Sequence, residues 1–168
     1  MKEDNDIFKK FRDSFSKIDG HFHILEQRVP VERQMEYFKY SEKIRKDQDK
    51  PDISKMDFSV FEDSLDDPES TVEHKKYVLS ILATSRQVKA YRILEEYAQA
   101  PDPDVADWAY MALMESRIAL ESELSDEKQI YISTGLGGKG EKLRFYVLIL
   151  ANELKPVSYT HLTLPTIA

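Results

Sequence analysis

The chain has 168 residues, 41% hydrophobic and 33% charged, with a net charge of -7; this is the balance of a folded, water-exposed protein and not of a disordered one, and its acidity argues against a nucleic-acid-binding surface over the whole molecule. With no cysteine, disulfides, Cys-ligated zinc, iron–sulfur clusters and a thiol nucleophile are excluded within this sequence. The N-terminus carries charges where a secretory signal needs an apolar stretch, and "FYVLILA" is far too short to span a bilayer, so a cytoplasmic protein without a membrane partner is expected.

Residues 1–50 read as a helical pair with a linker. "DNDIFKKFRDSFSKI" places Ile7, Phe8, Phe11, Phe15 and Ile18 on one helical stripe, with Asp4 or Asn5 available to cap it and Asp19-Gly20 to stop it. "HFHILEQRV" alternates weakly, as a short extended piece. It puts His21 and His23 on one side, but His74 is the only other histidine before the tail and no carboxylate pair lies near, so surface or half-buried histidines are expected and no metal site. A second helix begins near Pro30 with Val31, Met35, Phe38 and Ile44 as its apolar positions, and "KDQDKPDISK" is a polar boundary.

Residues 51–125 repeat. "DFSVFEDSLDDPESTVEHKKYVLSILATS" and "AYRILEEYAQAPDPDVADWAYMALMESR" each hold a short amphipathic helix, an acidic turn with Pro, and a second helix. Phe58, Val60, Phe61 and Leu65 correspond to Tyr91, Ile93, Leu94 and Ala98 at an offset of thirty-three, and Val78 and Leu79 to Ala112 and Leu113 at thirty-four. That spacing marks a helical-hairpin repeat, in which one hairpin buries its apolar stripe only by stacking on the next.

Over residues 57 to about 120 the sequence resembles the HEAT-like repeat family. The best-matching stretch is "YRILEEYAQAPDPDVADWAYMALMES": Asp102-Pro103-Asp104-Val105 fits the turn, with Asp104 as N-cap, and Ala109, Ala112 and Leu113 fit the packed face. The earlier unit has Asp66-Asp67-Pro68 in its turn but bulkier Tyr77 and Val78 in its second helix, and it lacks the Arg often found early there. The resemblance implies a mostly α fold of antiparallel hairpins that presents a surface to another protein; a plain antiparallel helical bundle is the alternative. Trp108 and Tyr110, on the last repeat helix, are the candidate protein-interaction residues, against the ordinary role of filling the groove between repeats. The acidic "FEDSLDDPE" lacks the glycine and ligand spacing of a calcium loop and reads as a solvated turn.

Residues 126–155 change period. "KQIYIST" and "KLRFYVLILA" are strand-like and flank "GLGGKGE", which predicts a β-hairpin with a long glycine loop opening a truncated α+β unit. Gly135, Gly137, Gly138 and Gly140 free the backbone to gather N–H groups, while Lys139, Lys142 and Arg144 add charge. Residues 128–144 hold four bases against one acid, Glu141, a net +3 suited to an anionic ligand or an acidic partner segment. The phosphate-loop pattern fails: Gly135 and Gly140 are correctly spaced, but Glu141 stands where Lys is needed and no Ser or Thr follows Lys142. A dinucleotide fingerprint fails too, since no helix opens at the glycines. The competing reading is a flexible hairpin loop with solvated lysines.

Residues 157–168, "VSYTHLTLPTIA", contain no Lys, Arg, Asp or Glu. Back-translated, residues 157–166 resemble in one frame the adapter of transposon-based sequencing libraries. Residues 156–168 are therefore expected to be non-native, with native sequence ending near Lys155 and the rest of the last unit missing, so Tyr159 and His161 carry no functional weight.

No nucleophile–base–acid group stands at motif spacing, so no catalytic residue and no cofactor are assigned. The expected function is a non-catalytic protein-interaction scaffold. The alternative is an enzyme or ligand-sensing module whose anionic-ligand site, at residues 135–140, is completed by a missing C-terminal segment. Nucleic-acid repair on a HEAT-like scaffold, a weaker third reading, is opposed by the acidic charge and by the lack of a basic stripe on the repeat helices.

Overall fold

The computed structural model describes residues 21–47, 57–125, 127, 129–140 and 142–144. The helix expected over Ile7 to Ile18, the strand expected at "FYVLILA" and the tail expected to be non-native lie outside the described residues.

The strand β1, His21–Ile24, is followed by a short loop and α1, Val31–Lys46. Pro30 precedes the helix with φ -54°, a preset value that suits a helix start, and Glu32 in the first turn and Lys43, Arg45 and Lys46 in the last complement the helix dipole. The helix lies where expected but turned. Ile44 is buried as predicted, whereas Val31, Met35 and Phe38 are about half exposed, and Gln34, Tyr37 and Ser41 point inward with Ile44. Apolar periodicity misplaced this face because its polar groups find buried partners. Gln34 Nε2 donates to the Val29 carbonyl (2.7 Å) and Ser133 Oγ (3.0 Å), and Tyr37 and Ser41 both donate to Glu115.

The repeated region folds as four helices in two successive pairs. The first pairs α2, Ser59–Asp66, with α3, Val72–Thr84; the second pairs α4, Val88–Tyr97, with α5, Ala106–Ser125, which a 3-10 turn at Pro103–Val105 leads into. Thr71 caps α3 by accepting the His74 N–H at 3.2 Å. Asp104, expected to cap the last helix, lies inside the 3-10 turn instead. Short α2 and α4 bury one stripe each, Phe61 with Leu65 and Ala90 with Ile93 and Leu94. By contrast, α3 is buried from Val78 through Ala83, the mark of a helix covered on most sides. It is the middle of the molecule: α1, α2, α4 and α5 all pack against it, and α1 touches α5 as well. Of the matched repeat positions, Phe61 and Leu94 are both buried, but Val60 is exposed where Ile93 is buried.

After α5 the strand β2, Gln129–Ile132, pairs with β1 in parallel, His21 opposite Gln129 through Ile24 opposite Ile132. Among the described residues the partner of β2 is thus a strand more than a hundred residues earlier, while most of the expected partner across the glycines, from Phe145 on, lies outside them. The pair ties the segment before α1 to the segment after α5. The glycine stretch holds its own small antiparallel hairpin, β3 (Gly138–Lys139) with β4 (Lys142–Leu143). The fold among the described residues is mostly helical, with these two small strand pairs.

Candidate functional site

The glycine stretch is folded onto the loop that follows β1. Ser133 Oγ and Thr134 Oγ1 accept the N–H groups of Gly135 (3.0 Å) and Leu136 (3.4 Å) as side-chain turns. The Gly138 N–H donates to the Glu26 carbonyl at 3.1 Å, the Gly140 N–H to Glu26 Oε1 at 2.8 Å, and the Arg144 N–H to the Gly137 carbonyl at 3.1 Å. Gly137 has φ +76°, and a Cβ there would stand 2.3 Å from the Glu26 carbonyl oxygen, so only glycine allows this approach. The concavity of N–H groups expected here is therefore filled from within: the Glu26 carboxylate sits where an anion was anticipated. Lys139, Lys142 and Arg144 are exposed at the hairpin. The structure thus brings the seven loop residues together, with backbone donors engaged and side-chain cations outside.

Trp108 and Tyr110 are drawn into the molecule instead of being displayed. Trp108 is 5% exposed, edge-on to Tyr37 (5.2 Å between ring centres) and Tyr40 (5.3 Å), and its Nε1 donates to Ser80 Oγ at 3.0 Å. The Tyr110 hydroxyl, half-buried, accepts the Gln27 N–H at 3.3 Å. Both therefore fill the junctions among α1, α3, α5 and the loop after β1.

Beside Trp108 a shallow cleft of about 200 Å³ lies among Arg33 and Tyr37 of α1, Lys76 of α3, and Pro103, Asp104, Asp107 and Trp108 at the start of the last helix. Its cations are already neutralised. Arg33 Nη1 is 3.0 Å from Glu36, and Lys76 Nζ reaches Glu73 (3.1 Å) and Glu36 (3.4 Å) while lying 4.8 Å above the Trp108 ring. The Arg33 hydrogen bond, assisted by Lys76, holds the Glu36 carboxyl below its usual range.

Two buried polar arrangements escaped the sequence reading. Glu115 receives the Tyr37 hydroxyl at 2.6 Å and the Ser41 hydroxyl at 2.7 Å, with Arg45 Nε 3.6 Å away. Burial, then the adjacent Glu115 charge, pushes the Tyr37 phenol well above the ordinary tyrosine range. Lys75, its side chain 5% exposed, donates to Asp102 Oδ2 at 2.7 Å, and that hydrogen bond raises the Lys75 ammonium. Glu115 was one carboxylate among many in the sequence, and Lys75 and Asp102 lie twenty-seven residues apart without a motif.

The histidines are occupied in the β1–β2 pair: His21 Nε2 meets Glu127 Oε2 at 2.5 Å, and His23 bonds Gln129 Oε1 at 2.7 Å and stacks on Tyr131. Among the described residues no group of three metal-binding side chains converges, and no helix is long and apolar enough to cross a membrane. Comparisons with protein-family models, curated proteins and solved structures found no match.

Proposed function

We propose that this chain is a non-catalytic protein-interaction scaffold, built on HEAT-like helical hairpins and working in the cytoplasm. The observation that carries the reading is the outer face of α1, where Val31, Met35 and Phe38 follow one another at helical spacing, each about half exposed. An apolar stripe of this kind on a rigidly seated helix suits a partner's apolar face. The seating is firm, since α1 is held from behind by Tyr37 and Ser41 on Glu115. The HEAT-like part draws support from the order of the four helices and from Lys75, which takes the place of the missing Arg early in its helix and reaches Asp102 in the next hairpin's turn.

The competing reading, an enzyme or sensor with an anionic ligand at residues 135–140, has less behind it because Glu26, Ser133 and Thr134 engage its backbone donors. The test is a photo-crosslinking residue placed at Met35 in the source cell, with a second at exposed Val88 on α4 as control. We expect an identifiable partner at Met35 alone, lost in Phe38→Glu, with the melting temperature unchanged. Equal crosslinking at both positions, or a partner indifferent to Phe38→Glu, would sink the proposal.

A further inference from the structure

Lys139 and Lys142 stand directly opposite one another across the β3–β4 pair, and both are exposed. Pleat geometry sends their side chains to one face, to which Arg144, two positions beyond Lys142, returns. Like charges in direct opposition destabilise a strand pair. Several exposed bases elsewhere are neutralised locally, Arg33 by Glu36, Lys46 by Glu42, Arg92 by Glu95 and Arg117 by Glu121. Others such as Arg28, Lys39, Lys43 and Arg86 stand exposed with no ion pair among the described residues, but they are not set against a second base across a strand pair. Among the described residues neither Lys139 nor Lys142 has a carboxylate within ion-pairing distance. Glu26 reaches the same turn but directs its Oε1 to the Gly140 N–H. In sequence, Glu141 is the single acid against four bases over residues 128–144.

From this geometry we infer that the β3–β4 tip docks an acidic peptide segment of a partner protein, with Lys139, Lys142 and Arg144 as its contacts. The class of ligand follows from what the loop has already used. A small anion such as phosphate is held by converging backbone N–H groups, and here Gly135, Leu136, Gly138 and Gly140 donate within the chain. What remains is a strip of exposed side-chain cations, Arg144 steadied by a 3.4 Å hydrogen bond from its Nη1 to the Leu136 carbonyl. Such a strip favours several carboxylates spread along an extended chain, and it gains most at low ionic strength. The surface is distinct from the α1 stripe, and each can fail alone.

The test uses the whole chain and a fluorescently labelled peptide of about ten Asp and Glu residues, titrated by anisotropy at low and at physiological ionic strength. Lys139→Glu with Lys142→Glu should weaken binding about tenfold, as expected for two exposed charge contacts. Lys39→Glu with Lys43→Glu, exposed on α1, alters net charge equally and should leave affinity within about twofold. Equal weakening by both pairs would reduce the effect to overall charge and overturn the proposal, as would peptide binding that survives the hairpin substitutions. Inorganic phosphate is run in parallel by NMR. A saturable shift of the Gly140 amide at millimolar phosphate would show a small-anion site and overturn the peptide reading.

Discussion

Glu115 holds α1 and α5 together through two short hydrogen bonds from fully buried hydroxyls, those of Tyr37 and Ser41. Hydrogen bonds to a charged acceptor in such a place contribute more than neutral ones. Ser41→Ala and Tyr37→Phe are each expected to lower the unfolding free energy by about 1–2 kcal/mol. Ser116, equally buried one residue further on, has no partner for its hydroxyl. Ser116→Ala should therefore lie within ~0.5 kcal/mol of the parent or be stabilising. Denaturant unfolding of the three variants checks the contrast, and a large loss in Ser116→Ala would show that this hydroxyl is hydrogen-bonded after all. The pH dependence follows from the raised phenol of Tyr37 and the raised ammonium of Lys75. Both hold their proton more tightly folded than unfolded. Their contribution is complete below the unfolded values, about pH 10, and is lost as pH rises through the folded ones. The stability gap between the parent and Tyr37→Phe should accordingly narrow above about pH 10, and a gap constant into strong alkali would contradict the burial of that phenol.

Between elements, the glycines that follow β2 are unequal although three of them share positive φ. Gly137 lies against the backbone of residues 26–28, whereas a Cβ at Gly140 would meet nothing within 4 Å. Gly140→Ala should cost only the left-handed backbone preference, about 1 kcal/mol. Gly137→Ala adds a collision with the Glu26 carbonyl and should cost at least about 2 kcal/mol, undocking the loop from the segment after β1. Heteronuclear NMR on both variants distinguishes them, since only the second should shift the amides of Leu25 through Arg28. The helices themselves were largely legible in the sequence: α1 to α5 lie in the stretches that periodicity and Pro-containing turns marked. The strand partner of β2 was not, because a parallel register to β1 leaves no local trace in either segment.

Across the molecule, burial is graded outward from α3, which four other helices contact, to α2, which packs mainly on α3. Amide exchange should follow that gradient, slowest at Leu79 to Ala83 and faster throughout α2. Equal protection in both would mean that α2 and α3 open as one cooperative unit. The charge distribution is graded as well. A chain of net charge -7 sets two exposed lysines directly opposite one another at the glycine hairpin, and the partner class proposed for that tip rests on this juxtaposition.

Composition and periodicity were sufficient to place the helices, their turns and the basic glycine stretch, since each depends on neighbours a few positions away along the chain. They did not reveal that Trp108 is covered by Tyr37 and Tyr40, that Glu26 fills the glycine loop, or that Val31, Met35 and Phe38 face outward. Those outcomes hinge on which distant groups satisfy one another once the helices pack. A buried Gln, Ser or Tyr is tolerated only where its hydrogen-bond partner arrives from elsewhere in the fold. The inward face of α1 was chosen by Glu115, Val29 and Ser133, not by the hydrophobicity of α1 itself.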